Sequence, residues 1–160
     1  MYLYPIKSCG GLKITTGSWP LSSTSLKYDR QFVIMQGRST LTQKSEPLLC
    51  QIKPNIDLKT KIMTLSVPWS DETCVISLDL TSKEVQEKQL CSGKVCGDFI
   101  NGLDCGDEVA DWLEIVLGLT GKTLLDFIIY NDVVYNFVKN YAKKFFIKSV
   151  GSQYTEGNAM

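Results

Sequence analysis

Short segments in which apolar and polar residues alternate dominate the chain as far as residue 100. Met63, Leu65 and Val67 are separated by polar residues, and the same pattern recurs from residue 74 to residue 80 after a turn at 68–71. A period of two is typical of strands with one buried face. Apolar runs and their flanking turns predict further strands at residues 2–9, 12–16, 28–35, 39–44, 48–53 and 94–100.

The period changes to that of a helix after residue 104, where the apolar residues are Val109, Trp112, Leu113, Val116 and Leu117. Asp104 is the predicted N-cap, Asp107 and Glu108 suit the first turn, and Gly118 suits the C-terminal end. This segment is therefore predicted to form one amphipathic helix that packs on the strands.

A second apolar stripe, from residue 125 to residue 145, has an irregular helical spacing. Asp126, Asn131 and Asp132 interrupt it, so no membrane span is predicted. The predicted fold is mainly β (α+β): a small barrel-like rolled sheet of short strands, one amphipathic helix and an unassigned helical or disordered tail. The predicted domain covers residues 1–122, and the tail covers 123–160.

Charge and composition restrict the chemistry. The chain has 160 residues, with 17 basic and 17 acidic side chains and no histidine. A net charge of zero argues against general nucleic-acid binding, which needs a basic face. Without histidine, the chain contains no Ser-His or Cys-His nucleophile pair. No residue is predicted to be catalytic.

The six cysteines are predicted to be reduced thiols of a cytoplasmic protein, because the N-terminus has no basic stretch followed by an apolar run. Cys91 and Cys96 would supply only half of a zinc site, so no metal site is predicted.

Two short motifs predict an anion site. Lys7 and Ser8 end a predicted strand and precede Gly10 and Gly11, whose backbone would allow a phosphate to approach. Arg30 enters an apolar strand and could offer a guanidinium fork to an oxyanion. The alternatives are a solvated lysine and, for the arginine, a structural pair with Asp29 or another carboxylate.

Several ordered motifs resemble the β-barrel domain that precedes MOSC domains. They are the string LYPIKSCG at residues 3–10, the segment ending in Tyr28-Asp29-Arg30, and the segments 41–50, 52–58, 95–98 and 104–113. The family includes the C-terminal part of eukaryotic molybdenum cofactor sulfurase and the mitochondrial amidoxime reducing component. The Tyr-Asp-Arg triplet and the segments 43–47 and 52–58 resemble the sulfurase more than the reductase.

The resemblance implies that Lys7, Ser8 and Arg30 help to hold the phosphate and pterin end of the molybdenum cofactor. In the sulfurase, a desulfurase domain with pyridoxal phosphate lies upstream and a MOSC domain with a cysteine near the metal follows. Neither has a counterpart in this chain, so we expect a fragment that is inactive alone. Molybdoenzymes of the xanthine dehydrogenase and aldehyde oxidase type are the implied partners.

Three functional hypotheses remain open. The first is a cofactor-binding module of a molybdenum cofactor sulfurase, a transferase of molybdenum cofactor biosynthesis. The second is a module of an amidoxime-reducing molybdenum oxidoreductase. The third is a non-catalytic, truncated product whose tail is not native architecture.

Overall fold

The computed structural model describes residues 1–15, 17–22, 25–79, 90–95, 97–119 and 125–130. Within these ranges the chain forms ten strands, one 3₁₀ helix and one α-helix. In chain order the elements are β1 (Tyr2–Leu3), β2 (Leu12–Lys13), β3 (Phe32–Gln36), β4 (Ser39–Thr40), the 3₁₀ helix (Pro47–Gln51), β5 (Lys53–Asp57), β6 (Ile62–Val67), β7 (Ser70–Ser77), β8 (Leu90–Val95), β9 (Asp98–Asp104), α1 (Asp107–Leu117) and β10 (Leu125–Ile129).

A closed barrel with the strand order β10-β3-β4-β8-β9 forms the centre of the described structure. Strand β3 pairs antiparallel with β10 along its whole length, from Phe32 opposite Ile129 to Gln36 opposite Leu125. The Phe32 and Phe127 rings stack with their centroids 5.4 Å apart, and both side chains are fully buried. The predicted small barrel with one helix is confirmed.

Strand β3 is buried on both faces, which explains its continuous apolar run. Phe32 and Ile34 belong to the main core, whereas Val33 and Met35 pack with Ile128 in a second, smaller core. Alternate side chains of a strand point to opposite faces, so an unbroken apolar run fits a strand that separates two cores.

A three-stranded antiparallel sheet, β5-β6-β7, also packs its buried side chains into the main core. The period-two prediction for residues 63–67 is confirmed, because Met63, Leu65 and Val67 are buried between less buried neighbours. Helix α1 packs against β7, and the Trp112 Nε1–H donates to the Glu72 carbonyl at 3.3 Å.

Helix α1 matches its prediction except at the N-cap. Its five predicted apolar residues are buried, and Gly118 ends it in the left-handed conformation with φ 65°. The N-cap, however, is Gly106, and the Asp104 carboxylate instead accepts the Gly106 N–H at 3.0 Å. Among the described residues, no helix has both the length and the apolar composition that a membrane span requires.

Three predicted strands have different structures. Residues 48–53 were predicted as a strand, but Pro47 opens a 3₁₀ helix in which the Glu46 carboxylate accepts the Leu48 N–H at 3.2 Å. Residues 94–100 contain a hairpin rather than one strand, since β8 ends at Val95 and β9 begins at Asp98. Strand 28–35 begins only at Phe32, after a turn.

Two further predicted strands, at residues 2–9 and 39–44, are shorter than expected. Residues 2–9 contain only β1 and an isolated bridge at Ile6, and residues 39–44 contribute only β4. Pro5 cannot donate a ladder hydrogen bond, which is consistent with the early end of β1.

The helical prediction for residues 125–129 is wrong, because this segment is strand β10 of the barrel. Its aromatic and β-branched residues are mediocre helix formers, and pairing with β3 and β9 provides the hydrogen bonds. The boundary after residue 122 stays a prediction, although β10 lies beyond it. Tyr130 is the one other residue of the predicted tail that the structure describes, and the remaining tail residues lie outside the described ranges.

Phe127 belongs to the stacked pair that joins β3 to β10, so its replacement should destabilise the fold far more than replacement of the exposed Phe99. Phe127→Ala should lower the free energy of unfolding by about 3–5 kcal/mol, because it leaves a cavity beside Phe32. Phe99 is 79% exposed, and the Lys94 ammonium lies over its ring at 4.8 Å. Phe99→Ala should therefore cost no more than about 1 kcal/mol. Chemical denaturation of both variants measures the difference, and equal losses would contradict the barrel closure by β10.

Candidate functional site

Lys7, Ser8 and Arg30 line one cavity of about 520 Å³. The two motifs that predicted an anion site are thus brought together, although 22 positions separate Ser8 from Arg30. The remaining lining residues are Tyr4, Ile6, Cys9, Gln43, Val95 and Tyr130. The cavity therefore combines cationic, hydroxyl, amide, aromatic and aliphatic groups.

Backbone hydrogen bonds between two chain segments hold the cations together. The Arg30 N–H donates to the Tyr4 carbonyl at 2.8 Å, and the Phe32 N–H donates to the Pro5 carbonyl at 3.1 Å. The Lys7 N–H donates back to the Phe32 carbonyl at 2.9 Å. Donors and acceptors lie on both segments, so these bonds fix the backbone position of Lys7 relative to that of Arg30.

The predicted alternative of an Asp29–Arg30 ion pair is not found. The Asp29 carboxylate accepts the Tyr4 N–H at 3.1 Å, and the one salt bridge within the described ranges joins Lys61 to Asp79 at 2.7 Å. Within those same ranges, neither Lys7 nor Arg30 has a carboxylate oxygen within 4.0 Å. Among the described residues, no carboxylate therefore competes with an anionic ligand for these two charges.

Two of the three site residues have a left-handed backbone, with φ 70° at Ser8 and φ 49° at Arg30. This conformation costs about 1–2 kcal/mol for a residue with a Cβ. Such strain persists only when neighbouring interactions impose it, and it clusters at functional sites. At Ser8, the Gln43 side chain imposes it in part, because its Nε2–H donates to the Ser8 carbonyl at 2.9 Å.

The predicted role of Gly10 as a phosphate contact is wrong. Its N–H donates to the Ile52 carbonyl at 2.9 Å and is not available to a ligand. A Cβ at this position would lie 2.8 Å from the same carbonyl oxygen and 3.1 Å from that of Cys50. Glycine is needed here because the backbone packs tightly against the end of the 3₁₀ helix.

Cys9 lines the cavity but is a poor nucleophile. Burial raises the pKa of its thiol from 9.0 to about 12, and the neighbouring Cys50 adds to this rise. The thiol therefore stays protonated at neutral pH.

No two of the described cysteines are joined by a disulfide. Cys96, and with it the predicted Cys91–Cys96 pair, lies outside the described residues. Within the described ranges, no three potential metal ligands come together.

Four further residues line the cavity although no sequence motif predicted them: Tyr4, Gln43, Val95 and Tyr130. Tyr130 follows β10, and its N–H donates to the Gln31 carbonyl at 2.9 Å. No local pattern signals these residues, because each reaches the cavity through a pairing between distant segments.

The left-handed backbone at Arg30 predicts an unusual order of stability. Arg30→Gly should be about 1 kcal/mol more stable than Arg30→Ala, because glycine adopts a positive φ without steric cost. Arg38, an exposed arginine outside the left-handed region, is the control. There the glycine variant should be the less stable one, by about 0.5–1 kcal/mol. Urea denaturation of all four variants measures the order, and the same order at both positions would contradict the strain.

The buried thiol predicts a loss of stability at high pH. An unfolded cysteine ionises above its ordinary pKa of 9.0, whereas folded Cys9 keeps its proton up to about pH 12. The free energy of unfolding should therefore fall between these values, by up to about 1.4 kcal/mol per pH unit. Denaturation from about pH 8 to about pH 11 measures this slope. Cys9→Ala should reduce it most, and Cys50→Ala should reduce it less, because Cys50 makes the smaller contribution to the raised pKa of Cys9; an unchanged slope in Cys9→Ala would contradict the assignment.

Comparison with known proteins identifies the family. The model of the MOSC N-terminal beta barrel domain matches residues 1–120. Molybdenum cofactor sulfurase 3 of Aedes aegypti is 49% identical over 77% of this chain and 16% of its own length. The molybdenum cofactor sulfurases of Bombyx mori and Bos taurus are 44% and 39% identical over 77% and 74% of this chain. The chain spans only 15% and 13% of those two relatives.

A solved structure supports the fold independently. The solution structure of a Bordetella bronchiseptica protein superposes with a TM-score of 0.61 at 15% identity, covering 83% of this chain and 90% of that one. The family match extends over residues 1–120, and the relatives that carry the resemblance are named molybdenum cofactor sulfurases. The chain belongs to the MOSC N-terminal beta barrel domain family.

Proposed function

We propose that this chain is the cofactor-binding module of a molybdenum cofactor sulfurase, in which Lys7, Ser8 and Arg30 anchor the pterin phosphate. One observation carries the proposal: the three residues line a single cavity, and its two cations have no carboxylate partner among the described residues. The sequence identity with proteins named molybdenum cofactor sulfurases supports the choice of the molybdenum cofactor as the source of this phosphate.

The side chains fit a phosphate. Arg30 offers several N–H donors in a planar fork, Lys7 adds a compact positive charge, and the Ser8 hydroxyl donates one further hydrogen bond. Arg30 is exposed and Lys7 is half-buried, so solvent screens both charges. The fixed backbone at Ser8 and Arg30 reduces the entropy that binding must overcome.

The molybdenum cofactor is the substrate of this activity, since it accepts sulfur at its molybdenum. In this proposal the chain contributes binding and orientation, while a pyridoxal-phosphate desulfurase domain elsewhere in the whole protein delivers the sulfur. The buried, protonated Cys9 thiol is unsuited to carry persulfide sulfur. Lys7, Ser8 and Arg30 would hold the end of the cofactor distant from the metal.

The names of the relatives favour the sulfurase over the amidoxime-reducing alternative. We infer that the whole protein is a cytoplasmic transferase of molybdenum cofactor biosynthesis. Enzymes of the xanthine dehydrogenase and aldehyde oxidase type would use the sulfurated cofactor. Because the chain spans a small part of its relatives, these statements concern the whole protein.

The anchoring predicts a loss of affinity in two variants. Hydroxymethylpterin monophosphate is titrated into the full chain near neutral pH, where its phosphate is mainly dianionic. Lys7→Ala and Arg30→Ala should each weaken binding about tenfold, because each removes one charge-assisted contact. Raising the salt concentration should weaken wild-type binding as well. Isothermal calorimetry measures the dissociation constants.

Lys13→Ala and Arg38→Ala are the matched controls, because both remove an exposed cation that does not line the cavity. They should retain wild-type affinity. Equal affinity in wild type, Lys7→Ala and Arg30→Ala would refute the anchoring site, whereas equal losses in all four variants would indicate nonspecific attraction.

A further inference from the structure

Tyr4 lines the same cavity as Lys7 and Arg30, yet phosphate anchoring gives its ring no role. The side chain remains 45% exposed, although an aromatic ring is normally buried for its large apolar area. A half-exposed ring beside two cations offers aromatic surface to a ligand that enters the cavity.

Both polar backbone groups of Tyr4 are tied to the turn that carries Arg30. The Tyr4 N–H donates to the Asp29 carboxylate at 3.1 Å, and its carbonyl accepts the Arg30 N–H at 2.8 Å. The position of the tyrosine is therefore fixed relative to the guanidinium-bearing residue.

The ring itself is held against Gly11. A Cβ on this glycine would lie 2.9 Å from Cε1 and 3.1 Å from Cζ of Tyr4. Any other residue at position 11 would have to displace the ring, so glycine permits a close contact between the ring and the backbone. Contact with the backbone restricts the ring before any ligand arrives, and such preorganisation favours binding.

The other walls suit a planar ring. Val95 adds aliphatic surface to the cavity, and the fully buried Ile6 forms part of its wall, and ligand sites commonly combine apolar walls with a few polar groups that fix orientation. If Lys7 and Arg30 hold the phosphate of a ligand, the ring of that ligand would lie close to Tyr4, because the Tyr4 carbonyl accepts a hydrogen bond from the Arg30 N–H.

We propose that Tyr4 is a specificity-determining residue that stacks on a planar heteroaromatic ring whose phosphate is held by Lys7 and Arg30. The cavity would then select ring-bearing phosphates over aliphatic phosphate esters. This inference rests on the proposed phosphate anchoring. By analogy with a nucleic-acid base stacked on an aromatic side chain, we expect the ring-bearing ester to bind roughly 5- to 150-fold more tightly than the aliphatic one.

The test compares two phosphate esters on the full chain, hydroxymethylpterin monophosphate and glycerol 3-phosphate. The measured quantity is the ratio of their dissociation constants, obtained by NMR titration of the isotopically labelled protein. Tyr4→Leu and Tyr4→Gln remove the ring, and Tyr4→Phe retains it. Tyr2→Leu is the control, because Tyr2 also contacts Gly11 and is 58% exposed but does not line the cavity.

We expect wild type, Tyr4→Phe and Tyr2→Leu to prefer the pterin ester, and the ratio to fall toward one in Tyr4→Leu and Tyr4→Gln. Thermal unfolding of each variant shows that it is folded. A wild-type ratio of one, or an unchanged ratio in whichever ring-deleted variant folds, overturns the role of Tyr4 while phosphate anchoring stands. If neither ester binds wild type, the anchoring site fails and the role of Tyr4 fails with it.

Discussion

The backbone hydrogen bonds between residues 4–7 and residues 30–32, which we call the seam, are the interaction on which the described structure depends. Its backbone hydrogen bonds run from Arg30 to Tyr4, from Phe32 to Pro5 and from Lys7 to Phe32. The same seam begins the barrel at Phe32 and places the two cations in one cavity. Fold and site therefore share one set of bonds, and a change that separates these segments would disturb both.

Local pattern predicted the elements whose burial has a regular period. The strands around Met63 and Ile76 have one buried face, and helix α1 has one buried stripe, so their periodicity is visible in the sequence. Strand β10 is different, because four of its five residues are buried. A short, nearly continuous apolar segment looks the same as a strand or as part of a buried helix, and only its pairing with β3 decides.

The site residues, too, were predicted only in part from the sequence. Charge and residue type drew attention to Lys7, Ser8 and Arg30, and the family resemblance linked them to one ligand. The convergence of these residues required the fold, as did the hydrogen bond by which Gln43 holds Ser8. The sequence also conceals the left-handed backbone at Ser8 and Arg30, since neither position has the glycine that usually signals it. The glycine pair was misleading in part, because Gly10 serves packing against the 3₁₀ helix.

The pairing of β3 with β10 has a consequence for synthesis of the protein. Phe32 to Met35 are synthesised before α1, whereas their partners on β10 are added only after α1 has been made. Until then β3 lacks one of its two neighbours and exposes an apolar edge, the kind of surface that other chains can pair with. The nascent chain thus carries an apolar, half-paired strand until β10 has been made, and chaperones that cover this edge would limit pairing with other chains.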